Sequence, residues 1–388
     1  MKLKTLCITR TACVLVVLAH FGATSVAGPL ERGQAKRIHD RIAGVPPTPD
    51  VLDQMEALIL SGNVEGAANI AIEAPEFYSV TLKNFVTPWT NREQTVFAPL
   101  NDYTATVIGA VRDGVDFRRI LSDDILYTVN GVAPAASASN NAHYEAAETN
   151  GTNLKIALQP TQQSSTYGIP SNATAGIITS RAASQAFFID GTNRAMFRFT
   201  LVNHLCRDME QVQDTSRPPD RIRQDVSRSP GGDSRIFLNN CIGCHSGMDP
   251  MAQAFAYYDF DETQNRLVYT DGMPNSKYFI NADNFRPGFV TPNDSWENRW
   301  RHGPNSALGW NNAAPASGSG AKTLGQELAS SEAFAQCQVE KVFKAVCFRA
   351  PADGADVNQI TTIKNDFKAS NYNLRRVWAE TAVYCKGP

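Results

Sequence analysis

The sequence lacks any apolar run long enough to cross a membrane. Residues 12–23 form a run shorter than the roughly 18 residues that a spanning helix needs, and no later stretch is long or apolar enough. The sequence also lacks an excess of charge, because 36 lysines and arginines nearly balance 38 aspartates and glutamates. No overall field therefore attracts nucleic acid or an anionic membrane. We expect neither a nucleic-acid partner nor membrane insertion of the mature chain.

The N-terminus has the order of features that is typical of a secretory signal peptide. Lys2 and Lys4 precede the short apolar run, and small residues end it at Ala27. Residues 1–27 are therefore predicted to be removed during export. We expect the mature protein to be periplasmic or otherwise extracytoplasmic.

Apolar residues at helical spacing predict a mainly α fold. An N-terminal helical region is predicted over residues 28–130, and three amphipathic helices are predicted over residues 324–346, 357–367 and 374–383. Residues 131–175 are rich in small polar side chains, and we interpret them as an irregular loop or linker. A polar turn between residues 254–258 and 267–269 predicts a small hairpin.

The most specific motif is Cys241-Ile-Gly-Cys244-His245, which is the signature of covalent c-type haem attachment. Two cysteines three residues apart lie on one helical face, where both thiols can reach the vinyl groups of one haem. The adjacent imidazole of His245 is then available to bind the iron. A zinc knuckle or a redox-active cysteine pair is the alternative, but zinc requires a second ligand pair and a redox pair does not require the histidine.

The residues around this motif resemble a known family. Met248-Asp-Pro250 follows the haem motif as in the planctomycete-type c-type cytochrome domains, and residues 324–337 and 175–205 are similar to helical segments of the same family. The resemblance implies one covalent haem c, a helical cytochrome c-like haem domain with long irregular loops over residues 176–310, and a C-terminal helical domain over residues 320–388.

Six cysteines remain after signal removal, and two of them belong to the haem motif. The other four are Cys206, Cys337, Cys347 and Cys385, and an oxidising compartment favours two disulfides over buried thiols. Cys337 and Cys347 lie about 15 Å apart along one predicted helix, so they cannot pair with each other. If the three terminal helices run up, down and up, Cys385 lies beside Cys347. Cys206 would then pair with Cys337.

Further haem contacts are predicted from residue type and position. Arg228 and Arg235 belong to a group of arginines before the motif, and guanidinium groups suit propionate carboxylates. The alternative is a solvated basic segment.

We expect Met273 to be the second iron ligand, because it lies in an irregular turn before Pro274 and far enough from His245 to reach the opposite haem face. Met248 is too close to His245 in sequence for this role. His302 is the rival ligand, and a vacant position is the third possibility.

These features favour single-electron transfer by one haem to and from an unidentified periplasmic redox partner. The chain is, however, much longer than a simple carrier requires. A haem enzyme of the peroxidase type, or another oxidoreductase with an open or displaceable distal site, is the alternative function. A structural or binding module has no positive support in the sequence.

Overall fold

Helices dominate the chain, as the apolar periodicity predicts. The computed structural model describes residues 29–279 and 287–388, so the predicted signal peptide lies outside the described residues. The α-helices are α1 (Pro29–Ala43), α2 (Pro49–Leu60), α3 (Val64–Ile72), α4 (Lys83–Val86), α5 (Asp102–Arg112), α6 (Ala142–Thr149), α7 (Leu154–Ala157), α8 (Gln163–Tyr167), α9 (Arg181–Phe187), α10 (Arg194–His204), α11 (Ser234–Ile236), α12 (Ile242–Ala252), α13 (Gly320–Ala329), α14 (Glu332–Cys347), α15 (Gly354–Ala369) and α16 (Leu374–Tyr384). None of these described helices is both long enough and apolar enough to cross a membrane.

Short turns of other helix types connect these elements. The 3₁₀ segments are Thr87–Thr90, Phe117–Leu121, Gly176–Thr179, Met209–Val212, Pro230–Gly232, Gln253–Phe255, Ser276–Phe279, Arg299–Arg301 and Pro304–Leu308, and the π-helical segments are Phe77–Leu82 and Phe237–Cys241.

Three antiparallel strand pairs complete the described structure. The strands are β1 (Leu126–Val129), β2 (Leu158–Thr161), β3 (Tyr258–Asp261), β4 (Arg266–Tyr269), β5 (Ser295–Glu297) and β6 (Ser317–Ser319). In the pairs β1 with β2, β3 with β4 and β5 with β6, Val129 lies opposite Leu158, Tyr258 opposite Tyr269 and Trp296 opposite Gly318. The pair β3–β4 confirms the predicted hairpin.

Local capping explains where the N-terminal helices begin. Thr48 caps α2 by accepting a hydrogen bond from the amide of Val51, and Pro49 occupies the first helical position, where its missing N–H is not needed. Asn63 caps α3 in the same way through the amide of Gly66. These caps divide the N-terminal region into short helices.

The two ends of the chain pack against each other. Helix α16 contacts α1, α3 and α14. The guanidinium group of Arg37 donates from Nε to the carbonyl oxygen of Lys386 at 2.6 Å, and Arg41 donates to the carbonyl of Cys385. One cluster of buried apolar side chains extends from Ala35 to Ala382. The N-terminal helices and the C-terminal helices therefore share a core.

Two predicted segments differ in the structure. Residues 131–175, predicted to be an irregular loop, contain α6, α7, α8 and β2, and Tyr144 and Leu158 bury their side chains in the shared core. These elements are only four to eight residues long, which is too short for a clear apolar period. The helix predicted over residues 324–346 is two helices, because Ser331 accepts the amide of Phe334 and begins α14 as a new helix.

Both predicted cysteine pairs are present. The sulfur atoms of Cys206 and Cys337 are 2.12 Å apart, and those of Cys347 and Cys385 are 1.83 Å apart. Cys337 and Cys347 lie in one helix, α14, as the pairing argument required. The second pair links the end of α14 to the end of α16.

His204 is buried in the shared core, between helix α5 and helix α14. Its Nε2 is 3.0 Å from the hydroxyl oxygen of Tyr103, and its Nδ1 has no hydrogen-bond partner among the described residues. Burial, together with the nearby positive charge of Lys341, lowers the pKa of His204 well below its ordinary value. The folded state therefore stays unprotonated at this site while the unfolded state takes up a proton below about pH 6.5.

We therefore expect the free energy of unfolding to fall as the pH decreases below about 6.5, by up to about 1.4 kcal/mol for each pH unit from this group. Urea unfolding between pH 7.5 and 5.5 measures this slope. His204→Gln retains a group that can hydrogen-bond Tyr103 and does not titrate, so this variant should lose that part of the slope. An unchanged slope in the variant would assign the acid sensitivity to other groups.

Candidate functional site

The haem motif lies at the start of helix α12. Cys241 is the last residue of a π-helical turn and the N-cap of α12, and Cys244 and His245 lie in the first turn of that helix. Both thiols are partly exposed, and the sulfur of Cys244 donates to the carbonyl oxygen of Met209 at 3.6 Å. Burial raises the pKa of the Cys244 thiol. The three predicted attachment residues thus lie together on one helical segment.

Close packing holds α12 in place behind these residues. Gly247 faces Trp300, and a Cβ atom on Gly247 would lie 1.9 Å from the Nε1 of Trp300. The hydroxyl of Ser246 donates to the carbonyl oxygen of Asp214 at 3.0 Å. The side of α12 behind the motif therefore has no room for a larger residue at position 247.

We expect Gly247→Ala to lower the free energy of unfolding by about 1–3 kcal/mol, because the new methyl group forces α12 and Trp300 apart. Gly243→Ala is the matched control on the same helix, since a Cβ there meets nothing closer than 3.4 Å. The control should keep its stability or gain up to about 1 kcal/mol from the higher helix propensity of alanine. Urea unfolding compares the two variants, and equal stabilities would refute the packing argument.

His245 opens onto a cavity of about 480 Å³. The cavity is lined by Arg92, Arg194, Ala195, Arg198, Phe199, Met209, His245 and Met248. Its walls combine apolar side chains, two of them thioethers, with three guanidinium groups.

A buried carboxylate orients the imidazole of His245. The Nδ1 of His245 is 3.1 Å from the Oδ1 of Asp249, one helical turn later, and the Asp249 side chain is fully buried. We assign the proton to Nδ1, because an ionised carboxylate can only accept. The lone pair of Nε2 is then free to bind a metal ion.

Two arginines hold Asp249 in its charged form. Arg194 donates to both carboxylate oxygens, from Nε to Oδ1 at 2.7 Å and from Nη2 to Oδ2 at 2.8 Å. Buried Arg223 places its Nη1 3.9 Å from Oδ1. Burial alone would raise the pKa of Asp249, but the positive charge of Arg194 holds it well below its ordinary value. Asp225 forms a second ion pair with Arg194, from Oδ2 to Nη1 at 2.5 Å.

The structure places Arg228 and Arg235 away from this cavity. Arg228 donates to the carbonyl oxygens of Val226 and Ile222, and the side chain of Arg235 is 82% exposed beside Asp233. Neither residue is among those that line the cavity. The arginines that share the cavity with His245 are Arg92, Arg194 and Arg198, which are far from the motif in sequence. Proximity along the chain therefore did not indicate which guanidinium groups share the cavity with His245.

Met273 and His302 also lie outside the cavity. Met273 is 66% exposed in the turn after β4, and His302 is exposed after a 3₁₀ turn. The thioethers that line the cavity belong to Met209 and Met248. Met209 precedes the motif by 32 residues. The sequence argument considered only methionines that follow His245 and therefore missed Met209.

Among the described residues, no group of three or more histidine, cysteine, aspartate or glutamate side chains is close enough to hold a metal ion. Comparison of the chain with protein-family models, curated proteins and solved structures returns no match.

Proposed function

We propose that this chain is an exported mono-haem c-type cytochrome that transfers single electrons to and from a periplasmic partner protein. One observation carries the proposal. Of the six cysteines outside the predicted signal peptide, four form disulfides, and the two that remain free are Cys241 and Cys244, directly before His245. In an oxidising compartment, two neighbouring thiols that stay unpaired favour another covalent use, and attachment to haem vinyl groups is that use.

The residues around His245 fit a haem. Cys241 and Cys244 would hold the porphyrin through thioethers, and the Nε2 of His245 would bind the iron. The cavity of about 480 Å³ offers apolar contacts for the ring. Arg92, which hydrogen-bonds only neutral carbonyl oxygens, offers a guanidinium group for a propionate, whereas Arg194 and Arg198 are already paired with aspartates. The haem would supply one-electron chemistry. Consistent with this proposal, residues 176–310 would form the cytochrome-like haem domain that the family resemblance implies.

Asp249 is the positioning residue in this proposal. Its carboxylate accepts the Nδ1 proton of His245, which fixes the tautomer and the ring orientation and strengthens the imidazole as a donor. The ion pairs with Arg194 keep the carboxylate charged and in place. His245 would therefore be a strong and rigid iron ligand.

In this proposal, the thioether of Met209 would be a second protein group that binds the iron. It shares the cavity with His245 but belongs to a different element, whereas Met248 lies three residues after His245 on the same helix face. A residue on a separate segment would bind the iron independently of the helix that carries His245.

The Met209→Ala variant should therefore lose the low-spin ferric spectrum of the wild type and gain a more negative reduction potential, since a thioether ligand raises the potential. Met273→Ala is the control, because Met273 is exposed outside the cavity, and it should match the wild type. Optical and electron paramagnetic resonance spectra with a potentiometric titration make the comparison. A wild-type spectrum in Met209→Ala would exclude this assignment, and a loss restricted to Met273→Ala would restore the sequence prediction.

A haem enzyme remains the second candidate function, and the Asp249–His245 pair favours it. A carboxylate that strengthens a histidine ligand stabilises oxidised iron, which suits oxidative chemistry when the opposite haem face is open. Spectra of the purified holoprotein with and without carbon monoxide separate the two functions. A low-spin haem that does not bind carbon monoxide supports electron transfer, whereas a high-spin ferric haem with ready carbon monoxide binding supports the enzyme.

A further inference from the structure

A second cavity, of about 630 Å³, lies next to the one that His245 lines. It is bounded by the segment at residues 90–101, by α6 and by α9, and its size is typical of small-molecule sites. The side chain of Arg92 belongs to the wall of both cavities.

Arg181 is the buried charge of this second cavity. The residue is 7% exposed, and its Nη2 donates to the Oδ1 of Asn265 at 2.8 Å. Its Nε is buried and has no hydrogen-bond partner among the described residues. No described carboxylate forms an ion pair with it. Arg181 thus contrasts with Arg194, which is partly exposed and is paired with two aspartates.

A buried guanidinium without a counter-charge is energetically unfavourable. The backbone of Arg181 is nevertheless held firmly, because its amide donates to the Oδ2 of Asp102 at 2.5 Å and so fixes the start of α9. The cation is therefore retained at a fixed place in a polar cavity. An anion from outside the chain would supply the counter-charge that Arg181 lacks.

The rim of the cavity limits the charge of that anion. Glu93 and Glu145 are both exposed there, while Arg92 is engaged by the carbonyl oxygens of Ala186 and Ile189. Arg92 keeps its positive charge, because carbonyl oxygens are neutral, but the two carboxylates outnumber it and leave the rim with a net negative charge. That charge repels a second negative group, whereas Arg181 is the buried cation. This arrangement favours an anion with a single charge and a neutral remainder.

We propose that this cavity binds a small organic monocarboxylate, with its carboxylate on the guanidinium of Arg181 and its neutral part toward the rim. Amide side chains such as Gln185 at the cavity wall can hydrogen-bond hydroxyl groups on the remainder. The site goes beyond electron transfer, and the binding itself depends on Arg181 rather than on the haem.

Isothermal titration calorimetry of the protein purified after export tests the proposal. The probes are lactate, gluconate and benzoate as monocarboxylates, succinate as a dicarboxylate, and chloride and phosphate as inorganic anions. We expect at least one monocarboxylate to bind and to raise the midpoint of thermal unfolding. Succinate and the inorganic anions should bind more weakly.

Arg181→Gln should weaken monocarboxylate binding tenfold or more, because it removes a hydrogen bond to a charged group. Arg118→Gln is the matched control, since Arg118 pairs with Asp116 outside the cavity, and it should bind like the wild type. Glu145→Gln should bind succinate more tightly and monocarboxylates no less tightly.

Three results would overturn the proposal: no monocarboxylate binds, Arg181→Gln binds as tightly as the wild type, or chloride and phosphate bind as well as the organic acids. If Arg181→Gln fails to fold, the succinate response of Glu145→Gln decides instead, and an unchanged preference there overturns the proposal. Haem spectra recorded on the same samples report separately on the cytochrome function. A chain that binds monocarboxylates without covalent haem would refute that function alone.

Discussion

The double variant Cys241→Ala/Cys244→Ala is expected to carry no covalent haem after export in a host with c-type haem maturation. Each substitution removes one thioether, so the single variants should retain less covalent haem than the wild type, and the double variant should retain none. His245→Ala keeps both thiols but loses the iron ligand, and it should lose the wild-type spectrum. Haem staining after denaturing electrophoresis measures the covalent fraction directly.

The other four cysteines provide the control for this experiment. Cys347→Ala/Cys385→Ala removes one disulfide that lies at the ends of α14 and α16. It should lower stability but leave the amount of covalent haem for each chain unchanged. If denatured wild-type protein releases all its haem into acidified organic solvent, or carries none, the attachment proposal is wrong.

The Asp249→Asn variant should lower the free energy of unfolding by about 3–5 kcal/mol, which is the usual effect of breaking a buried ion pair on one side. The substitution removes the one carboxylate that lies within 4 Å of the Arg223 guanidinium among the described residues, and it leaves Arg194 with Asp225 alone. It also weakens the acceptor of the His245 Nδ1 proton. Denaturant unfolding measures the stability.

A second measurement separates positioning of His245 from general stability. The holoprotein of Asp249→Asn should have a more positive reduction potential, because a less basic imidazole stabilises oxidised iron less well. Asp225→Asn is the control, since Asp225 pairs with the same Arg194 but does not contact His245. It should lose less stability and keep the wild-type potential. Equal shifts in the two variants would show that Asp249 acts only through Arg194.

The sequence by itself determined the attachment motif, the hairpin, the helical class and the cysteine pairing, because each depends on the spacing of residues along the chain. Cys241, Cys244 and His245 lie on one helical segment because their spacing is the spacing of a helix face. The hairpin β3–β4 follows from a polar turn between two apolar runs, and helical periodicity indicated the mainly α class. The cysteine pairing also followed in two steps. Cys337 and Cys347 are too far apart in one helix to bond, and an up, down and up order of the terminal helices places Cys385 beside Cys347.

Only the tertiary structure decided which distant side chains meet His245. Arg194 reaches Asp249 because α10 packs against α12. Arg92, from the N-terminal part of the chain, lines the same cavity as His245. Packing between segments depends on the whole core, and no local pattern encodes it, so sequence neighbours such as Arg235 were chosen instead. Met209 was missed for the same reason, as was the buried and unpaired Arg181. The sequence does not show whether a charged residue lacks an ion-pair partner. The partner depends on every segment that packs around that residue in the folded protein.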